Sequence, residues 1–300
     1  MVFNLRKIFP LILLVAVFTV CAFNYTPDTY LTGWDNLHPE FYFKVNIIDR
    51  SIFSVWQEYQ GLGLLAVMAH ASDLPRQTIL YAFSLFLPCS FVRYLYQFLM
   101  LFLGCGGVFF LLKKTLGGDK SSFLGALFYL LNLGTLQNFY APISMFTTFW
   151  GFFPLLLFSG FNYLEDPARR NLLWFIWISV LAVPMAYTPT LFIVYVFCFS
   201  VILLGSSFRR FKYLLRLLFT IFAVNAFWIL PFIYSVYSNV GTVINSTINQ
   251  MSSENSFLLN KKWGGFENVA ILKGFWFGNV DLQLEQGKFD YMMRPWITHI

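Results

Sequence analysis

The chain has 300 residues, of which 58% are hydrophobic, 21% are aromatic and only 11% are charged, and its net charge is +6. Soluble domains carry roughly 25% charged residues, so this chain has too few charges to cover a water-facing surface. The composition disfavours a cytosolic enzyme, a secreted disulfide scaffold and a nucleic-acid-binding protein, because the positive excess is small and scattered. It predicts an all-α, polytopic membrane protein surrounded by lipid.

Seven apolar segments approach the length of about 20 residues that a bilayer core requires. In chain order they lie at 8–23, 91–112, 121–138, 143–164, 171–187, 189–206 and 214–237. Two further segments, 46–58 and 78–90, are amphipathic or too short to cross, and we expect both to form helices that lie on the membrane. The sequence therefore predicts a transmembrane bundle of about seven helices with two membrane-lying helices in its first outer loop.

Basic residues divide the connecting loops into two classes. Eleven lie in alternate loops or at the N-terminus: Arg6, Lys7, Lys113, Lys114, Lys120, Arg169, Arg170, Arg209, Arg210, Lys212 and Arg216. The short loops 134–142 and 184–189 contain none. Because Lys and Arg favour the cytoplasmic side, we expect a cytoplasmic N-terminus and an outer location for the polar segments 24–78 and 238–300. A multi-pass protein of the plasma membrane is the expected location.

Two regions follow from this topology. Residues 1–237, with the outer loop 24–78, form the predicted membrane module, and residues 238–300 form an external segment. The chain stops at RPWITHI inside that segment, so we expect it to be part of a longer protein.

A cluster of titratable residues follows the first apolar segment. The stretch TGWDNLHPEF places Asp35, His38 and Glu40 between Trp34 and Phe41. A carboxylate at the edge of the membrane is a candidate general base, because the low dielectric raises its basicity. In the alternative interpretation, Asp35 is a turn or helix N-cap residue and Glu40 lies in a first helical turn.

A second polar stretch lies at 54–77. Its acid and amide side chains Glu58, Gln57 and Gln60, together with Trp56, have the chemistry that binds sugars, because rings stack on aromatics and hydroxyls need paired donors and acceptors. An interfacial helix capped by glycine explains the same residues without a ligand.

Arg76 and Arg93 flank the segment 78–90 on the predicted outer side. A guanidinium group matches phosphate oxygens bidentately, so either residue is a candidate phosphate ligand; anchoring to lipid headgroups is the alternative. The four cysteines lack C-x-x-C spacing, and no metal site is predicted. Ionisable residues are nearly absent from the apolar segments, which argues against a proton-coupled pump.

This layout resembles the C-fold (GT-C) membrane glycosyltransferases. The resemblance rests on one span followed by GWDNLHPE, the segments 46–58 and 78–90, further spans and a large segment from 238; the stretch WQEYQGLG is similar to the arabinofuranosyltransferase-like group. It implies sugar transfer from a polyprenyl-phosphate-linked donor to an acceptor hydroxyl on the non-cytoplasmic face.

Carried onto this chain, the resemblance implies that Asp35 is the base, supported by Glu40 or His38. The substrate-binding residues would be Trp34, Asn36, Trp56, Gln57, Glu58, Gln60, Arg76 and Arg93. The partners would be membrane lipid, the lipid-linked donor and a glycan or protein acceptor, with no nucleic acid and no predicted cofactor; the metal requirement stays open. The rival hypotheses are a lipid-linked oligosaccharide flippase or other non-catalytic transporter, and a structural membrane subunit.

Overall fold

The computed structural model describes most of the chain. The described residues are 8–31, 41–53, 56–57, 64–65, 70–140, 142–206 and 210–245, and then 254, 257–258, 261, 264–270 and 272. Those of Met1–Leu130 and Ala141–Tyr237 form one compact unit, and those of Leu131–Tyr140 and Ser238–Ile300 form another.

The described residues are almost entirely helical, which confirms the all-α class. The α-helices are α1 (Ile8–Phe23), α2 (Leu74–Ser84), α3 (Cys89–Leu116), α4 (Asp119–Leu131), α5 (Leu133–Tyr140), α6 (Ser144–Glu165), α7 (Arg169–Ala182), α8 (Pro189–Ser206), α9 (Phe211–Ile244) and α10 (Phe266–Ala270). A π-helix spans Val45–Ile52, and 3₁₀ helices span His70–Asp73 and Val183–Tyr187. Two short strands, β1 (Trp56–Gln57) and β2 (Leu64–Leu65), pair antiparallel.

Four stretches among the described residues are long and apolar enough to cross a membrane. They are Cys89–Leu116, Ser144–Glu165, Arg169–Tyr187 and Phe211–Gly241. Two further apolar helices, Ile8–Phe23 and Pro189–Gly205, are shorter. A membrane protein with transmembrane helices is therefore supported. Among the described residues, four helices are both long enough and apolar enough to cross, whereas the sequence predicted about seven spans.

The segment 121–138, which was predicted as one span, is not one continuous helix. The helix breaks at Asn132, so α4 ends at Leu131 and α5 begins at Leu133. The Oδ1 atom of Asn132 accepts a hydrogen bond from the backbone N–H of Thr135 at 2.8 Å. An asparagine that caps its own backbone in this way starts a new helix at the expense of the old one.

The boundaries of the two predicted loop helices are also different. The π-helix ends at Ile52, and Trp56–Gln57 is extended, so 46–58 is not a single helix. The second helix is Leu74–Ser84 rather than 78–90, and it carries Pro75 in its first turn, where the missing N–H costs nothing. Cys89 already belongs to α3.

Helices α3 and α6 pack closely through glycines. A Cβ atom on Gly104 would lie 2.2 Å from the Trp150 ring, and one on Gly151 would lie 3.0 Å from the carbonyl oxygen of Met100. Small residues of this kind let two helix backbones approach each other inside a membrane. The close approach brings the first turns of α3 and α6 together, and the candidate site lies there.

Candidate functional site

Most of the predicted site residues lie outside the described residues: Trp34, Asp35, Asn36, His38, Glu40, Glu58 and Gln60. For Trp56 and Gln57 only the backbone is described, as strand β1. Arg76 and Arg93 are both described and buried, with 5% and 4% of their surfaces exposed. These two arginines therefore lie at the centre of the candidate site.

Arg76 lies in the first turns of α2 and pairs with Asp73, three residues earlier. Its Nε donates to Oδ1 at 2.6 Å and its Nη2 donates to Oδ2 at 2.7 Å. The third nitrogen, Nη1, donates to Oγ of Ser144, the first residue of α6, at 3.3 Å. The pair with Asp73 thus orients the guanidinium group toward α6.

Arg93 lies on α3 and reaches the same end of α6. Its Nη2 donates to the backbone carbonyl of Pro142 at 3.0 Å. Pro142 lies only two residues before Ser144, which is the partner of Arg76. The two arginines that the sequence singled out therefore both donate hydrogen bonds to residues at the start of α6.

A third arginine joins this region from the π-helix. The Nη2 atom of Arg50 donates to the hydroxyl of Tyr187 at 3.1 Å, and its Nη1 donates to Oδ1 of Asn46 at 3.3 Å. The imidazole of His70 stacks on the Tyr187 ring at 5.1 Å. The 3₁₀ helix His70–Asp73, which ends at Asp73, thus packs against the 3₁₀ helix that ends at Tyr187.

We call Arg50, Asp73, Arg76, Arg93 and Tyr187 the arginine cluster. Among the described residues it contains three guanidinium groups and one carboxylate, of which Arg50 is half-buried and the other charged members are buried. Removing charge from water is costly unless charge of the opposite sign is close. Guanidinium groups this close together have the chemistry that binds the oxygens of an anionic group such as a phosphate.

Two glutamines extend the cluster with hydrogen-bond acceptors. Gln77 donates through Nε2 to Oδ2 of Asp73 at 2.8 Å, and Gln97 donates through Nε2 to Oγ of Ser144 at 3.3 Å. Both are almost fully buried, and neither Oε1 atom accepts a hydrogen bond from a described residue. Buried amide oxygens of this kind are satisfied by hydroxyl or N–H donors.

The segment 32–40 is flanked on both sides by contacts to α2 and α3. Before it, the hydroxyl of Thr29 lies 2.9 Å from that of Tyr94, the residue after Arg93. After it, the Phe43 ring lies 5.3 Å from that of Tyr81 on α2. The described residues on the two sides of this segment, Thr29 and Phe43, therefore contact the two helices that carry Arg93 and Arg76.

Sequence reasoning missed Asp73, Gln77, Gln97, Tyr187 and the role of Arg50. A signal existed for Asp73, because an acid three residues before Arg76 in a helical turn predicts an ion pair. Tyr187 and Gln97 are separated from their partners by 137 and 47 residues, so only the fold brings them to the site.

No family model, curated protein or solved structure matches this chain. The chemistry of the site therefore rests on its own residues.

Proposed function

We propose that this chain is the membrane part of a glycosyltransferase that moves a sugar from a polyprenyl-phosphate-linked donor to an acceptor hydroxyl on the non-cytoplasmic face. One observation carries the proposal: three arginines and a single aspartate among the described residues gather at one end of α2, α3 and α6 in a membrane protein. Ionisable side chains in such proteins mark functional sites, because burying them is expensive.

The guanidinium groups would bind the phosphate of the donor. Arg93 and Arg50 would contact the phosphate oxygens, and Arg76, held in place by Asp73, would add a fixed positive charge beside them. As the bond from the sugar to the phosphate breaks, negative charge grows on the departing phosphate oxygen. Positive groups that are already in place stabilise that charge without reorganising.

The glutamines fit the sugar end of such a donor. The Oε1 atoms of Gln77 and Gln97 are buried acceptors, and sugar hydroxyls are donors. The Nε2 atoms of the two glutamines donate hydrogen bonds to Asp73 and Ser144, and these bonds fix the positions of the Oε1 atoms.

Asp35 would act as the general base that takes the proton from the acceptor hydroxyl, with Glu40 or His38 in support. Asp35 is six residues from Thr29, and six residues extend at most about 20 Å. The Thr29 hydroxyl lies 2.9 Å from that of Tyr94 on α3, so Asp35 would be able to reach the part of α3 that carries Arg93.

The topology belongs to the same proposal. Helices α1 and α8 and the stretch 121–138 would cross the membrane together with the four longer helices, which makes seven crossings, and the N-terminus would be cytoplasmic in the plasma membrane. The eleven basic residues in alternate loops support this orientation.

Turnover of a lipid-linked sugar tests the proposal. The full chain in proteoliposomes would receive a panel of polyprenyl-phosphate pentoses and hexoses together with glycan and hydroxyl-bearing peptide acceptors, with release of polyprenyl phosphate and glycosylation of the acceptor as the readouts. We expect Asp35→Asn to lower release by about a hundredfold to ten-thousandfold, the usual contribution of a general base. The matched control is Asp28→Asn, because Asp28 is exposed and has a φ of 58°, which asparagine tolerates.

The outcomes separate the rival functions. Transfer that Asp35→Asn does not change would remove Asp35 from the mechanism. Movement of the intact donor between leaflets, with no release of polyprenyl phosphate from any donor, would favour a flippase over a transferase.

A further inference from the structure

A groove between α6 and α7 lies apart from the arginine cluster. It has a volume of about 290 Å³, is open to the protein surface, and is lined by Leu155, Phe158, Ser159, Asn162, Asn171, Trp174 and Ile178. On α6 the lining residues follow the spacing i, i+3, i+4 and i+7, and on α7 they follow i, i+3 and i+7. Each set therefore forms one continuous helix face. We call this the α6–α7 groove.

The α6–α7 groove is polar at one end and apolar along the rest. Asn162 lies near the end of α6 and Asn171 near the start of α7, so both carboxamides lie where the two helices are joined. Away from that end the walls are Phe158, Leu155 and Ile178. A ligand that matches this gradient is amphipathic, with a short polar head and a chain of methylenes.

The charged residues at the polar end of the α6–α7 groove favour a ligand with an anionic head group. Glu165 is paired with Lys114, whereas Asp166 accepts hydrogen bonds from the neutral Asn171 carboxamide and keeps its negative charge. The two arginines Arg169 and Arg170 exceed that single charge. Arg169 and Arg170 are exposed and make no ion pair with any described acid. Basic residues in this arrangement beside transmembrane helices bind anionic lipid heads.

Helix geometry places one of these arginines on the side of the groove. Arg170 is four residues before Trp174, so the two side chains are neighbours on the same face of α7. Trp174 lines the groove and is 62% exposed, as suits an aromatic residue at the level of lipid heads.

We infer that the α6–α7 groove is a binding site for an anionic phospholipid. One acyl chain lies against Phe158, Leu155 and Ile178, and the phosphate lies between Asn162 and Arg170. This inference is independent of the proposed glycosyltransferase function.

Native mass spectrometry of the full chain tests it, with phosphatidylglycerol as the anionic probe and phosphatidylcholine as the neutral one. We expect the wild-type chain to retain phosphatidylglycerol preferentially. Arg170→Gln should weaken that binding about fivefold, the factor that corresponds to about 1 kcal/mol per cation near an anionic lipid. The matched control, Lys120→Gln, removes the same charge at an exposed position outside the groove.

A second variant fills the groove. Ile178 is half-buried, so Ile178→Trp adds volume without a buried clash and should abolish retention of phosphatidylglycerol. Ile193→Trp, at a position that is 66% exposed on α8, is its control and should retain the lipid. Equal retention of both lipids by the wild-type chain, or equal retention by the two tryptophan variants, would overturn the inference.

Discussion

The guanidinium group of Arg76 donates two parallel hydrogen bonds to the carboxylate of Asp73, at 2.6 and 2.7 Å. The two side chains are only 6% and 12% exposed. This pair sets the direction of the remaining nitrogen of Arg76, which bonds to Ser144 of α6. It therefore joins the first turn of α2 to the helix at the centre of the bundle.

Replacing Asp73 alone should lower the free energy of unfolding more than replacing Asp73 and Arg76 together. Asp73→Leu removes the carboxylate that faces the buried charge of Arg76, and breaking a buried pair in this way typically costs about 3–5 kcal/mol. Adding Arg76→Met removes that charge, so the double variant should recover part of the loss. The check is a double-mutant cycle on the free energy of unfolding in mixed micelles. A double variant as unstable as the sum of the two single variants would contradict the coupling.

The hydrogen bond from Arg50 to Tyr187 should hold the π-helix in place. Tyr187→Phe removes the hydroxyl that accepts from Arg50 but keeps a ring for His70 to stack on. We expect the loss of this hydrogen bond to destabilise the π-helix by about 1 kcal/mol, which corresponds to about fivefold faster local opening of that helix. Hydrogen exchange of the Val45–Ile52 amides measures this directly.

Tyr195→Phe is the matched control for that experiment. The Tyr195 hydroxyl is buried and has no hydrogen-bond partner among the described residues. Its removal should leave exchange in Val45–Ile52 unchanged. Equal exchange in Tyr187→Phe and the wild-type chain would show that the bond does not hold the π-helix.

Glycines on α3 should differ sharply in their tolerance of a methyl group. A Cβ on Gly104 would lie 2.2 Å from Trp150, which is 7% exposed and stacked on Tyr129 at 4.2 Å. Because that ring has little room to move, Gly104→Ala should cost about 1–3 kcal/mol by overpacking.

Gly106 supplies the comparison, because a Cβ there would meet nothing within 4 Å. Gly106→Ala should be neutral or slightly stabilising, since alanine is the better helix former. Melting temperatures of the two variants in one detergent would compare them. Equal tolerance at both positions would mean that α3 and α6 are not in close contact.

The helices could be predicted where long apolar runs decide the outcome. Such a run forms a helix in a membrane because every backbone polar group must be satisfied within the segment. The break at Asn132 could not be found from hydropathy, because Asn132 acts through a hydrogen bond to Thr135 inside an otherwise apolar run. The tripeptide Asn132–Leu133–Gly134 was the available signal, since asparagine and glycine favour caps and turns.

The site could be predicted only in part. Arg76 and Arg93 stood out because basic residues are not expected on the outer side, and the fold places both beside the start of α6. The hydroxyl of Tyr187 and the amide of Gln97 gave no local signal, because their roles depend on partners far away in the chain. Asp35 lies outside the described residues, so its role stays a prediction.

Binding of polyprenyl phosphate, compared with binding of the polyprenol that lacks the phosphate, tests the central claim most directly. If the arginine cluster holds the phosphate, the phosphorylated lipid should bind the full chain at least about tenfold more tightly, because a hydrogen bond to a charged group contributes about 1.5–3 kcal/mol. Arg93→Gln should remove most of that preference, and Lys120→Gln should keep it. Equal affinity of the wild-type chain for the two lipids would contradict the account.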